Sequence, residues 1–337
     1  MTPFLVGATL VALAASTLFN GFHDASNSVA AAVRTRALTP RVALAVVALF
    51  TTLGGLISSG LSIALAESFD ASVPHGDSGL AVILLGLLSA GAWSVYTWWR
   101  GMPSSSTHAT IAGIAGASMA SAIIQHRSLP DAAAMLLQQV AIPLVVASVV
   151  AIGLSYLAAV GVVFGARNMG PRKAASVGGT MQSIGACAVA LAHGMQDGQR
   201  ALALALLTLS TANITMSDGS HVWLQVTAAV LLGIGVLGGG WRITYTLSTR
   251  LVTLDPMRAG TANAVSSVLL FVGAFVFRLP ISSTQAVTAG LVGAGTHHRH
   301  TSVNWSTALR IGGYWVLTPI VSALAASVLF LAVSPLL

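Results

Sequence analysis

Pro103-Ser104-Ser105-Ser106-Thr107-His108-Ala109-Thr110-Ile111-Ala112-Gly113-Ile114-Ala115-Gly116-Ala117 returns later in the chain as Pro280-Ile281-Ser282-Ser283-Thr284-Gln285-Ala286-Val287-Thr288-Ala289-Gly290-Leu291-Val292-Gly293-Ala294. Nine of the fifteen positions are identical. Upstream of each copy stands a second matched pair, Gly21-x-x-Asp24 and Gly194-x-x-Asp197. The offset is 173 residues for the acidic motif and 177 for the hydroxyl motif. Two blocks that differ in length by four residues account for both values. Each half therefore carries an acid in an apolar segment and a hydroxyl cluster further on. In a membrane protein that pairing points to a transporter with its site between the repeats.

Composition puts the chain in a membrane. Charged residues make up 7% of the 337 and apolar residues 55%, against about 25% charged in soluble domains. Val42 to Ala66, Leu80 to Trp99 and Val140 to Phe164 each approach the roughly 20 apolar residues that a bilayer crossing needs. The net charge of +7 does not indicate nucleic acid. The basic residues are scattered over short loops, at Arg34/Arg36/Arg41, Arg100, Arg167/Arg172/Lys173, Arg242/Arg250/Arg258 and His297 to His300. That is the positive-inside pattern. Acidic loops alternate with them, at Glu67/Asp70/Asp77 and Asp218. The single cysteine, Cys187, excludes an internal disulfide. Phe4 to Leu18 lacks the basic flank of a signal peptide and reads as a retained first span.

The expected fold is an all-α polytopic membrane protein of two inverted-topology repeats, about five spans each, with broken helices or helical hairpins meeting at a midplane site. The first repeat runs over 1–166, a cytoplasmic linker over 167–175 and the second repeat over 176–337. An odd number of spans per half inverts the second against the first. With the basic loops inside, both termini fall outside; Arg127 and Arg278 are the exceptions.

The polar stretch Asn20-Gly21-Phe22-His23-Asp24-Ala25-Ser26-Asn27-Ser28 interrupts an apolar segment and predicts a broken helix there. An ionisable group at the bilayer centre costs at least roughly 2.5–3.5 kcal/mol, so Asp24 needs a partner or a proton. Asn20, Asn27 and freed carbonyls are oxygen donors suited to a small hard cation. The second copy, Gly194-Met195-Gln196-Asp197-Gly198-Gln199-Arg200, has Arg200 where the first has Asn27. A fixed guanidinium repels sodium; it neutralises Asp197 or reaches an anionic substrate. Of the histidines, His108 and His193 read as packing residues held by hydrogen bonds. His23, adjoining Asp24, is the candidate for titration.

Proline before Ser-Ser-Thr, leading into a small-residue helix, marks a helix start. Such a start offers free N–H groups and partial positive charge to an oxyanion. Two of them clasp a tetrahedral anion from two sides. An anion beside two ionised aspartates is opposed by about 4 kcal/mol per pair at 4 Å, even at an effective dielectric near 20. Cations must enter with it, which favours a symporter over a channel. An intramembrane hydrolase built on Ser, His and Asp is the alternative from another class. No Gly-x-Ser-x-Gly elbow supports it.

These motifs resemble the inorganic phosphate transporter (PiT) family, whose duplicated signature has the form Gly-x-Asn-Asp-x-x-Asn paired with Pro-x-Ser-Ser/Thr-Thr. The resemblance covers essentially the whole chain. It implies uptake of inorganic phosphate coupled to a cation, in the cell membrane, by a homodimer without an enzymatic cofactor. It assigns phosphate contact to Ser105, Ser106, Thr107, Ser282, Ser283 and Thr284. It assigns the coupling cation to Asp24, Asn27 and Asp197, beside which Asn20 and Gln196 stand as further candidates. Arg200 and His23 are left for charge compensation or substrate. His23 and Gln196 depart from the family's Asn, and Arg200 from its second Asn. Those departures are similar to the bacterial low-affinity branch, which implies proton coupling and phosphate carried with a divalent metal. No protein-bound metal is expected. Sodium coupling and a sulfate substrate stay open.

Overall fold

Among the described residues, the long apolar runs of the sequence are helical in the computed structural model of the chain. The structure describes residues 1–57, 66, 73–126, 130–215, 219, 221–277, 280–298 and 302–337. Glu67, Asp70, Arg127, Asp218, Arg278, Arg299 and His300 lie outside the described residues. Among the described residues there are no strands, only an isolated bridge between Val252 and Val303.

The helices are α1 (Thr2–Arg34), α2 (Pro40–Ile57), α3 (Asp77–Trp99), α4 (Ser106–Ile124), α5 (Pro130–Leu136) and α6 (Ile142–Ala166). They continue as α7 (Pro171–Thr211), α8 (His221–Leu237), α9 (Trp241–Tyr245), α10 (Pro256–Val272), α11 (Ser283–His298) and α12 (Trp305–Val333). Short π-helical stretches follow α5, α9 and α10. α7 begins at Pro171, within the span expected to be linker.

Among the described residues, eight helices have the length and apolarity of a membrane crossing. The pair His221–Leu237 and Trp241–Leu251, bent by 57°, makes a ninth if taken together. Gly239 and Gly240 carry that bend with φ of +83° and +48°, a region in which glycine alone is unstrained. The helix that follows the second hydroxyl motif, α11, is 16 residues long. At 1.5 Å per residue it reaches about 24 Å, short of the roughly 30 Å hydrocarbon core. It starts inside the protein instead of at the surface.

The packing is reciprocal. α4 lies against α12, and α11 against α6; α1 lies against α8, and α7 against α2. Glycines permit the second set of crossings. A Cβ at Gly21 would lie 2.1 Å from the Leu232 carbonyl oxygen on α8. One at Gly194 would lie 1.9 Å from the Thr51 carbonyl oxygen on α2. The glycine of each acidic motif thus lets two backbones touch.

This corrects the expected break at the acidic motif. α1 and α7 run unbroken through Asp24 and Asp197, so no freed carbonyls arise there. Asn20, Asp24 and Asn27 find partners on α7 and α11, Ser26 bonds back to the His23 carbonyl, and the backbone keeps its own hydrogen bonds. The breaks fall at the hydroxyl motifs, ahead of α4 and α11.

Candidate functional site

Ser105 caps α4 by accepting from the His108 N–H at 3.1 Å. Ser282 accepts from the Gln285 N–H at 3.3 Å, at the matched position ahead of α11. Each cap satisfies one N–H that a helix start leaves open. The loop before α4 is tied down twice. Thr97 and Ser104 share a hydroxyl contact of 2.7 Å, and Trp315 Nε1 donates to the Pro103 carbonyl at 3.2 Å. All six hydroxyl residues assigned from the sequence are buried.

The acids meet the hydroxyls crosswise. Ser283 and Thr284, at the start of α11, donate to Asp24 on α1 at 3.4 and 3.2 Å. Asn27 Nδ2 donates to Thr284 Oγ1 at 3.1 Å and to Ser283 Oγ at 3.4 Å. On the other side, Arg200 on α7 pairs with Asp197 at 3.1 Å and donates to Thr107 at the start of α4. Asn27 and Arg200 hold the same motif position, and each reaches the threonine of the opposite half.

A second crossing lies one turn earlier. Asn20 Nδ2 donates to Asp197 at 2.5 Å. His193, matched to Asn20 by the 173-residue offset, has Nε2 2.6 Å from Asp197 and 3.9 Å from Asp24. It stands between the two acids. His23 Nδ1 lies 2.6 Å from Asp24 Oδ1. Gln196 turns away, its amide donating to the Leu270 carbonyl on α10 at 3.0 Å. Asp24, His193 and Asp197 bring ligand atoms within 4.8 Å of one another.

Twelve of the thirteen residues singled out from the sequence thus stand in one buried cluster or at the helix starts that border it. Gln196 contacts α10 instead. Ser106, beside Thr110 and His23, lines a small cavity that adjoins the cluster. Read as a packing residue in sequence, His193 is central here. Its signal was available: a polar side chain one turn before each acid, Asn20 before Asp24 and His193 before Asp197. His108 and Gln285, matched by the 177-residue offset, also meet, with Nδ1 and Nε2 3.4 Å apart.

A buried carboxylate–guanidinium pair, a histidine between paired acids and two capped helix starts, packed among helices long enough to cross a membrane, make up the candidate site. Residues 20–168 and 163–326 match the phosphate transporter family, and the chain belongs to that family. A probable low-affinity inorganic phosphate transporter of Bacillus subtilis is 31% identical, over 93% of this chain and 92% of its own. One from Rhizobium meliloti is 30% identical, over 98% and 96%. A solved structure described as the sodium-dependent phosphate transporter superposes with a TM-score of 0.77, over 99% of this chain and all of that one. At 16% identity this likeness speaks for the fold alone. The chain is a membrane transporter and not an enzyme.

Proposed function

We propose that the protein is a secondary symporter that imports inorganic phosphate together with protons by alternating access between two inverted repeats. The observation that carries this reading is the crosswise bonding of each acid's helix to the hydroxyl motif of the other half. An anion held between the starts of α4 and α11 meets free N–H groups and hydroxyls from both. It also meets Asp24 and Asp197. Arg200 offsets one of those negative charges. Among the described residues, Asp24 has a histidine and two hydroxyls but no fixed cation within bonding distance. The charge it carries when ionised is left for a mobile species to balance.

Protons fit that role better than sodium. A sodium site needs about six oxygen ligands, and Arg200 occupies the position where the second half would supply an amide oxygen. His23 and His193 both stand against the acids, and an imidazole is a side chain that can carry a proton. A divalent ion travelling with phosphate would find Asp24, His193 and Asp197 within reach. The repeats are 1–166 and 176–337, joined through 167–175, with both termini outside. A homodimer in the cell membrane is the assembly proposed.

The test is reconstitution in liposomes with labelled phosphate, under an inward proton gradient or an inward sodium gradient. Uptake driven by protons without sodium is expected. Absence of any gradient-dependent uptake defeats the reading. Sulfate competition measured across pH separates the two oxyanions, because only phosphate titrates near neutral pH.

A further inference from the structure

Away from the acids, four fully buried polar residues hold six atoms that have no hydrogen-bond partner among the described residues. They are both amide atoms of Gln182 on α7, both of Asn263 on α10, Ser155 Oγ on α6 and Thr288 Oγ1 on α11. A buried polar group left unpaired costs about 1–3 kcal/mol. Natural cores keep few of them, and each needs a reason.

The four are strung along one path. Thr288 is one turn beyond Thr284 of the hydroxyl motif. Two residues on, a Cβ at Gly290 would lie 2.7 Å from Ser266 Oγ and 3.1 Å from Ser155 Oγ. Ser266 is three residues from Asn263 on α10. Gly185, a turn from Gln182 on α7, would place a Cβ 2.9 Å from Asn263 Cβ. A turn the other way, Gly178 lies against Met257. Met257 lines an open cavity of about 450 Å³, together with Val163, Arg167, Ala174, Asp255 and Arg258. These neighbours lead from the acid–hydroxyl site past the four polar residues and on through Gly178 and Met257 to a cavity that carries two arginines.

The other half has no such line. Thr9, matched to Gln182, donates to the Leu80 carbonyl at 3.5 Å. Ile111, matched to Thr288, is buried in an apolar cluster. Unpaired buried hydroxyls occur elsewhere too, at Thr51 and Ser322, but the positions matched to Gln182 and Thr288 hold a paired threonine and an isoleucine.

We propose that Gln182, Asn263, Ser155 and Thr288 line the route by which phosphate passes between the central site and the Arg167–Arg258 cavity. The helices pack these side chains together in this conformation, and the route is wetted when α7, α10 and α11 separate. Neutral donors and acceptors suit a passage that must bind an anion weakly enough to release it. The arginines at the mouth raise the local anion concentration. The inference rests on the transporter reading, but its first test does not require transport.

In a Cys187→Ala background, Gln182→Cys, Asn263→Cys and Thr288→Cys are probed singly with a small sulfonate-bearing thiol reagent, applied to either face of sealed vesicles. Labelling of all three from the face that labels Arg167→Cys is expected, with Ile111→Cys unreactive from that face. Labelling of Arg167→Cys alone overturns the proposal and makes the unpaired groups the seat of fixed internal water. Labelling without phosphate uptake leaves the aqueous route standing and removes the substrate. The second test replaces Gln182 or Asn263 by Leu. The expected result is an unchanged or raised melting temperature with uptake lowered about tenfold, since removing an unpaired buried group does not destabilise. A lowered melting temperature with uptake per folded molecule retained makes them structural hydrogen-bonding residues and overturns the proposal.

Discussion

Asp24 and Asp197 occupy matched places on matched helices, yet their neighbours differ in kind. Asp24 is bonded to His23, Ser283 and Thr284. Asp197 is bonded to Arg200, His193 and Asn20. One acid thus has a fixed cation and the other has titratable and neutral partners. The two motifs differ at several polar positions, among them Asn20 against His193, His23 against Gln196 and Asn27 against Arg200, and the last of these gives Asp197 a fixed cation. On the proposed reading, Asp197 with Arg200 is a standing framework. Asp24 is the acid whose charge must be met afresh in each cycle.

The largest effect is expected where the scaffold itself is touched. Gly21→Ala and Gly194→Ala each drive a methyl into a backbone carbonyl of a crossing helix, so neither variant should yield folded protein in size-exclusion chromatography. Gly7→Ala meets nothing within 4 Å and should raise stability by about 0.4–1 kcal/mol. Equal behaviour of the three variants would break the account of the crossings.

Next comes the ion pair. Arg200→Ala leaves Asp197 buried without its cation, a loss of about 3–5 kcal/mol that thermal unfolding in detergent would register. Asp24→Asn removes a charge that has no fixed cation and should unfold at nearly the wild-type temperature while abolishing gradient-driven uptake. If both variants lose the same stability, the two acids are not differentiated. Arg200→Asn makes the second motif like the first and should admit sodium as a driving ion. Unchanged ion dependence in a folded Arg200→Asn protein counts against the role given to the guanidinium. The smallest effect is expected from single hydroxyls. Thr284→Val and Thr107→Val should each raise the KM for phosphate by about tenfold, one hydrogen bond's worth of roughly 1–1.5 kcal/mol.

Much of this architecture was legible in the sequence because duplication marks its own important positions. The hydroxyl motifs announced the helix starts of α4 and α11, and the apolar runs announced the crossings. The break expected at Asn20 to Ser28 was misplaced. A polar stretch in an apolar segment unwinds only if its side chains lack partners, and those partners come from α7 and α11, far away in sequence. The central position of His193 was missed for the same reason. Its register one turn before Asp197 was visible, but its approach to Asp24 exists only once α1 and α7 cross. The short reach of α11 follows from its start in the interior, which hydropathy does not record.

The claim under all of this is that the anion enters with compensating positive charge taken up at Asp24. Simultaneous recording of phosphate uptake and internal pH in sodium-free liposomes tests it most directly. The account predicts internal acidification that rises in step with phosphate entry and vanishes with it in Asp24→Asn. Phosphate accumulation that proceeds only with a sodium gradient, at constant internal pH, would contradict it.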